Sequence, residues 1–225
     1  MTVLLPGELA WYATGRFYQA EDDSLADCGY FLHLPFPDVP LFDGERGEAH
    51  AHFTFASRPF EAAYLQNGTL TLGLDPVGEF SLYLQRDPAG TFDDPGSFAR
   101  GECIATFRRT SLVVGTTVGL SIGTTVGSSA SMLTVPLMGN NVFSARLIGS
   151  TPFEFAGQRH DLASHLGQGI TQFGTASATP VVPPPQGYKL VQPFTGSAIA
   201  LGRAEGDSRP SAPSPAERAS PPGRD

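Results

Sequence analysis

The sequence predicts an all-β protein: an antiparallel β-barrel, closed or nearly closed, with one short helix and a disordered C-terminal tail. Three observations lead there. The 225 residues include 26 Gly and 20 Pro, and in a helix interior these cost about 1 and about 3 kcal/mol each, so long helices are disfavoured. Apolar and polar residues alternate with a period of two in several short stretches, as half-buried strands require. Gly-, Pro- and Asn-containing turn signals punctuate those stretches.

The clearest alternation runs through residues 69–74 and again through 79–85, where Phe80, Leu82 and Leu84 fall on one face and Ser81, Tyr83 and Gln85 on the other. Asn67-Gly68 supplies the positive φ angles of a tight hairpin turn. Asp87-Pro88-Ala89-Gly90 suits a type I turn and Asp94-Pro95-Gly96-Ser97 a type II turn. Further strands are expected over 11–18, 29–34, 49–56, 102–110, 112–118, 132–137, 142–148, 153–155 and 197–201, with a short helix near 158–166. So many short strands call for a barrel or a sandwich, the usual ways to control sheet edges.

Residues 1–202 are expected to form a single domain. The segment 203–225 holds five prolines and no aromatic or large aliphatic residue, so it cannot bury enough surface to offset its ordering entropy. A second Pro-rich stretch, 180–185, is expected to be extended. The repeat Gly115-Thr-Thr-Val-Gly119, Gly123-Thr-Thr-Val-Gly127 reads either as a wall that a ligand approaches closely or as two strands kinked by glycine at a barrel corner.

The net charge is −8, distributed as −11 over residues 1–102, +3 over 103–202 and zero beyond. One lysine, Lys189, provides no basic stripe, so nucleic acid is excluded as an expected partner. Opposed charge between the halves is expected to attract within the domain or between protomers, the latter giving a homo-oligomer. Thr110 to Ala145 carries no charge but is rich in Gly, Ser and Thr, unlike the roughly 20 predominantly apolar residues of a spanning helix. It reads as buried β-structure, with no membrane span. The N-terminus lacks the basic and apolar regions of a signal peptide, and Cys28 and Cys103 form neither a metal-ligand spacing nor a disulfide framework. A cytoplasmic location with both thiols reduced is expected, and Asn67-Gly68-Thr69 is then a turn rather than a glycosylation site. Phosphate-binding Gly-rich loops and the nucleophile elbow have no match.

The segment Glu48-Ala49-His50-Ala51-His52-Phe53-Thr54-Phe55 is the most suggestive one. As a strand it sets Glu48, His50, His52 and Thr54 on one face, and two imidazoles beside a carboxylate suit one divalent metal ion. With Gly44 ahead of it, and Glu61 and Gly68 after it, the segment resembles the first motif of the cupin superfamily, a double-sheet barrel family. It departs from that pattern in the eight residues between His52 and Glu61, and no His follows Pro88-Ala89-Gly90 before His160. The resemblance implies a metal-dependent enzyme with His50, His52 and Glu48 or Glu61 as ligands. Alternatively the histidines face solvent while Phe53 and Phe55 pack inward, or they line a pocket as acid or base.

His160 and His165, five apart, do not share a helix face; capping and solvent exposure are expected of them, with Asp161 and Ser164 in similar roles. In the strand 102–109, Arg108 and Arg109 lie on opposite faces, so one of them points to the apolar side or stands at a rim. An arginine at a barrel mouth holds a carboxylate or phenolate well; an ion pair with the acidic half is the alternative.

The function expected is binding of an apolar or amphipathic small molecule in a hydrophobic cavity, without a cofactor, with His50, His52, Tyr83 and Arg108 as candidate anchors. The architecture resembles lipocalin-like and cyclase barrels, or a jelly roll, and that likeness implies a cyclase or isomerase activity. A metal-dependent cupin-like enzyme and a non-catalytic module acting through oligomerisation are the alternatives.

Overall fold

The computed structural model describes residues 4–36, 38–61, 63–67, 70–75, 78–110, 113–126, 129–177 and 179–201. The elements in chain order are β1 (Leu9–Ala20), β2 (Leu25–His33), β3 (Phe53–Ser57), β4 (Ala63–Asn67), β5 (Leu70–Asp75), β6 (Glu79–Leu84) and β7 (Glu102–Arg109). They continue with β8 (Val113–Val126), β9 (Ser129–Ser150), β10 (Phe153–Phe155), β11 (Gln158–His160), α1 (Leu162–Leu166), β12 (Gly169–Ala176) and β13 (Tyr188–Ala200). Two 3-10 segments, Glu48–His50 and Pro95–Ala99, lie in the loops.

Eight strands close a ring in the order β12-β13-β1-β2-β3-β6-β7-β9, and β9 pairs back onto β12. Every pairing around it is antiparallel, which bears out the barrel expected from the alternation. On its side away from β12, β9 first pairs with β8, which carries β5 and then β4 outward as an extension of the sheet. The two strands expected at 132–137 and 142–148 are therefore one long strand, β9. The Gly-Thr-Thr-Val repeat lies along β8 alone, with a register irregularity where Gly119 follows Val118. It does not form two separate strands at a corner.

Large and small side chains are interleaved around the wall and fill the interior together. Trp11 meets Phe31, Phe80 and Phe107 edge-on at centroid distances of 5.7, 6.4 and 5.5 Å, and its indole N–H donates to Gln172 Oε1 at 3.2 Å. Beside them in the wall stand Ala13, Ala145, Ala198 and Ala200, all buried, with Ala198 the register partner of Trp11 and Ala13 that of Phe31. Gly15 and Gly29 face each other on β1 and β2. A methyl group on either would fall within 2.3 Å of a carbonyl oxygen and about 3 Å from the Phe55 ring, so the Phe55 side chain fits there only because both positions are glycine.

A second apolar cluster lies outside the ring, where the loop between β6 and β7 covers β1 and β2. Phe92 and Phe98 pack on Tyr18, Cys28 and Val191, with Tyr18 Oη donating to the Phe92 carbonyl and Thr54 Oγ1 to that of Phe98. Burial pushes both the Tyr18 phenol and the Cys28 thiol well above their usual ranges, so neither ionises near neutral pH.

Local expectations fared unevenly. Asp94 to Ser97 opens a 3-10 helix, with Ser97 N–H bonded to the Asp94 carbonyl, and Gly96 is not among the glycines with positive φ that a type II turn requires. Residues 86–87 form a bend. Asn67 and Leu70 pair across the β4–β5 hairpin, while Gly68 and Thr69 between them lie outside the described residues, as does the tail expected over 203–225. Residues 180–185 form no regular element.

Candidate functional site

The strands give the barrel two ends. One collects the beginnings of β1, β3 and β7 and the ends of β2, β6 and β13; the other collects Arg109, Asp27, Ser57 and Phe60.

Arg109 ends β7. The β6–β7 pairing has an irregularity between Leu82 and Tyr83, where Ala105 and then Cys103 stand opposite. Ile104, Ala105 and Phe107 are all buried in consequence, and Arg109 continues the inward face while Arg108 points away. The Arg109 side chain is only 3% exposed and donates from Nη2 to Asp27 Oδ2 at 2.8 Å. Its guanidinium carbon lies 4.8 Å from the Phe60 ring centroid, 5.0 Å from Phe143 and 5.6 Å from Phe80. Asp27 is fixed in turn by its backbone N–H, which donates to Ser57 Oγ. The inward positions nearest this end, Phe17, Asp27 and Ser57, are half-buried, so this rim of the barrel is partly open to water.

The candidates drawn from the sequence lie elsewhere. Residues 48–50 form a 3-10 turn rather than the start of a strand, and β3 begins at Phe53. His50 is exposed. His52 is half-buried against the Phe155 ring at 4.8 Å, with Nδ1 within 2.9 Å of the Gln85 carbonyl oxygen. The common strand face expected for Glu48, His50, His52 and Thr54 is therefore absent, because Ala51 makes an isolated bridge with Phe42 and breaks the run. Glu48 accepts from the Phe92 backbone N–H, and Glu61 is exposed beyond β3. Among the described residues no group of three or more His, Cys, Asp or Glu side chains is placed to hold a metal ion. Tyr83 and Arg108 lie on the outer faces of β6 and β7. Arg108 binds Glu79 through Nε and Nη2 at 3.0 and 2.7 Å, and that contact, with Arg58 nearby, holds the Glu79 carboxyl below the usual carboxylate range.

The opposite end is stoppered. His160 and His165 are each only 3% exposed, a correction to the exposure expected of them. They are not two residues of one helix: His160 ends β11 and His165 lies in α1. Both rings pack on Phe36, at 5.0 and 5.2 Å. Burial holds the His160 imidazole below its ordinary pKa, and its Nε2 has no hydrogen-bond partner among the described residues. Asp161 does cap α1, accepting from Ala163 N–H, Ser150 and Ser164. Burial acts to raise its pKa, and these hydrogen bonds outweigh it to bring the carboxyl below the usual range.

A cleft of about 350 Å³ opens on the outer surface beside the ends of β6 and β7, lined among others by Gln85, Arg86, Arg100 and Glu102. Both of its guanidinium groups are engaged, Arg86 by Glu102 and the Glu154 carbonyl, Arg100 by Asp94.

The Asp27–Arg109 pair was half legible: two adjacent arginines on a strand ending an apolar alternation force one of them inward. Which one, and which acid meets it, depends on the β7 irregularity and on β2 lying across the barrel. No helix among the described residues is long and apolar enough to cross a membrane. No protein-family model matches the chain, and neither a curated protein nor a solved structure does.

Proposed function

We propose that the barrel binds an amphipathic small molecule at its Arg109 end, the apolar part lying among Phe17, Phe60 and Phe143 and an anionic head, carboxylate or phenolate, on the Arg109 guanidinium. The observation that carries this reading is a desolvated, ring-flanked guanidinium at the end of the barrel that water reaches. A buried ion pair is a poor device for stability, since well-packed apolar residues of similar volume serve as well or better. A planar guanidinium paired with a carboxylate is, by contrast, a good exchangeable anchor, because a ligand carboxylate can take the place of Asp27 and engage the guanidinium fork.

Trp11 is the only tryptophan and touches Phe80, which also flanks Arg109, so its fluorescence reports on this end. Titration with a medium-chain fatty carboxylate is expected to change Trp11 emission saturably. Arg109→Met, which keeps the volume and removes the charge, is expected to weaken binding by about tenfold or more, the loss of one charge-assisted contact. Asp27→Asn removes the competing carboxylate and is expected to tighten it. Unchanged affinity in Arg109→Met, with the fold intact by circular dichroism, would refute the assignment.

A further inference from the structure

The pairing registers align a row of apolar residues across the outer wall of the barrel. Tyr12 on β1 stands opposite Ser197 on β13, Ser197 opposite Phe173 on β12, and Phe173 opposite Val142 on β9. Leu32 lies beside Tyr12, at the irregularity between β1 and β2. These side chains point away from the core and remain exposed: Leu32 40%, Tyr12 38%, Val142 43% and Phe173 45%. The flanking rows, Thr14, Thr195, Thr175 and Asn140 on one side and Ile199, Thr171 and Ser144 on the other, are uncharged. Val142 in turn faces Val114, and the row leads onto the β8–β9 ribbon, where Gly119–Val126 pairs with Ser129–Pro136 and no other described strand adjoins it. That ribbon lies within the uncharged stretch from Thr110 to Ala145.

We propose that this uncharged outer face, with the ribbon that continues it, seats a second copy of the same chain. The charge distribution selects that occupant. The chain carries −8 overall, so two copies repel over most of their surface, and a face without charge is where like can meet like with the least repulsion. A two-fold dimer apposes one patch with itself, which an apolar row flanked by hydroxyls and amides satisfies and a single-sign patch does not. Two-stranded ribbons are marginal in water by themselves, and a second copy gives this one a surface to lie on. Five strands at about 4.8 Å spacing and about four residues of each, with the ribbon added, present about 500 Å² per partner. That is the low end for a specific interface, so association in the micromolar range is expected.

Sedimentation of the full chain tests this. A dimer is expected at about 100 μM, with an affinity that does not fall between low and high salt, because no charge pairs are formed and screening relieves the repulsion between the two copies. Phe173→Asp and Val142→Asp, both at exposed positions, are expected to weaken it by about tenfold or more while leaving the melting temperature of the monomer unchanged. Four outcomes overturn the proposal: a wild-type monomer at that concentration, a dimer indifferent to both substitutions, a dimer that dissolves in salt as an ion-paired interface would, or a monomer that floats with neutral phosphatidylcholine vesicles.

Discussion

The two ends of the barrel solve the same problem with opposite chemistry. At one, Phe36, Phe53 and Phe153 converge with α1, and among the polar groups there the His160 imidazole is held below its ordinary pKa by burial. At the other, Phe60, Phe80 and Phe143 surround a full positive charge balanced by Asp27. Neutral groups can be sealed in permanently at modest cost, whereas a buried ion pair is held against a desolvation penalty. One end is built as a stopper; the other holds the buried charge on which the proposed ligand would sit.

The largest effect expected from breaking this contrast is at the stopper. Phe36→Ala removes the ring on which both histidines pack and should cost about 3–5 kcal/mol, as aromatic-to-alanine changes in cores do. Chemical denaturation measures it. A loss under about 1 kcal/mol would mean that α1 seals the end without Phe36, and the contrast would then rest on the ion pair alone.

Acid should act next, through His160 and Asp161. The folded pKa of His160 is depressed by burial, while an unfolded imidazole titrates near 6.5. The folded state therefore binds fewer protons, so the stabilisation is complete above about pH 6.5 and is lost as pH falls from there toward the folded value. Asp161, also depressed, adds a separate loss in the more acidic carboxylate range. Melting temperatures of wild type and His160→Gln compared between pH 7 and 5 isolate the first window: the wild type should fall by more than the variant. Parallel curves would remove His160 from the account.

The smallest effect belongs to the arginine beside the buried one. Arg108→Ala breaks an exposed contact with Glu79 and should cost no more than about 1 kcal/mol, with fatty-carboxylate binding unchanged. Equal consequences for Arg108 and Arg109 substitutions would erase the distinction between the inner and outer faces of β7.

The alternation at Phe80, Leu82 and Leu84 could be read directly, because a strand with one buried face must repeat every second residue. The same rule failed for His50 and His52. Their spacing matched a strand, but backbone pairing decides where a strand begins, and β3 finds its partners only from Phe53 onward. Strand β12 escaped notice because Gly169-Ile-Thr-Gln-Phe-Gly-Thr-Ala176 buries glycine and glutamine beside isoleucine, and the Gln172 amide oxygen accepts from Trp11 on another strand.

By itself the sequence determined the class of this protein: its glycines and prolines rule out long helices, and its two-residue period makes strands that need closing. Tertiary structure alone decided which charges lie inside. Arg108 and Arg109 are chemically identical neighbours, separated only by the register of β7 against β6. The acid that meets Arg109 is 82 residues away in the chain, brought across the barrel by ring closure. The histidines of 160 and 165, apart on any single helix, share Phe36 because one lies on a strand and the other on the helix that follows. Local chemistry sets the period of a chain, but the partner of a buried polar group is chosen by packing at long sequence separation, and only the closed barrel fixes it.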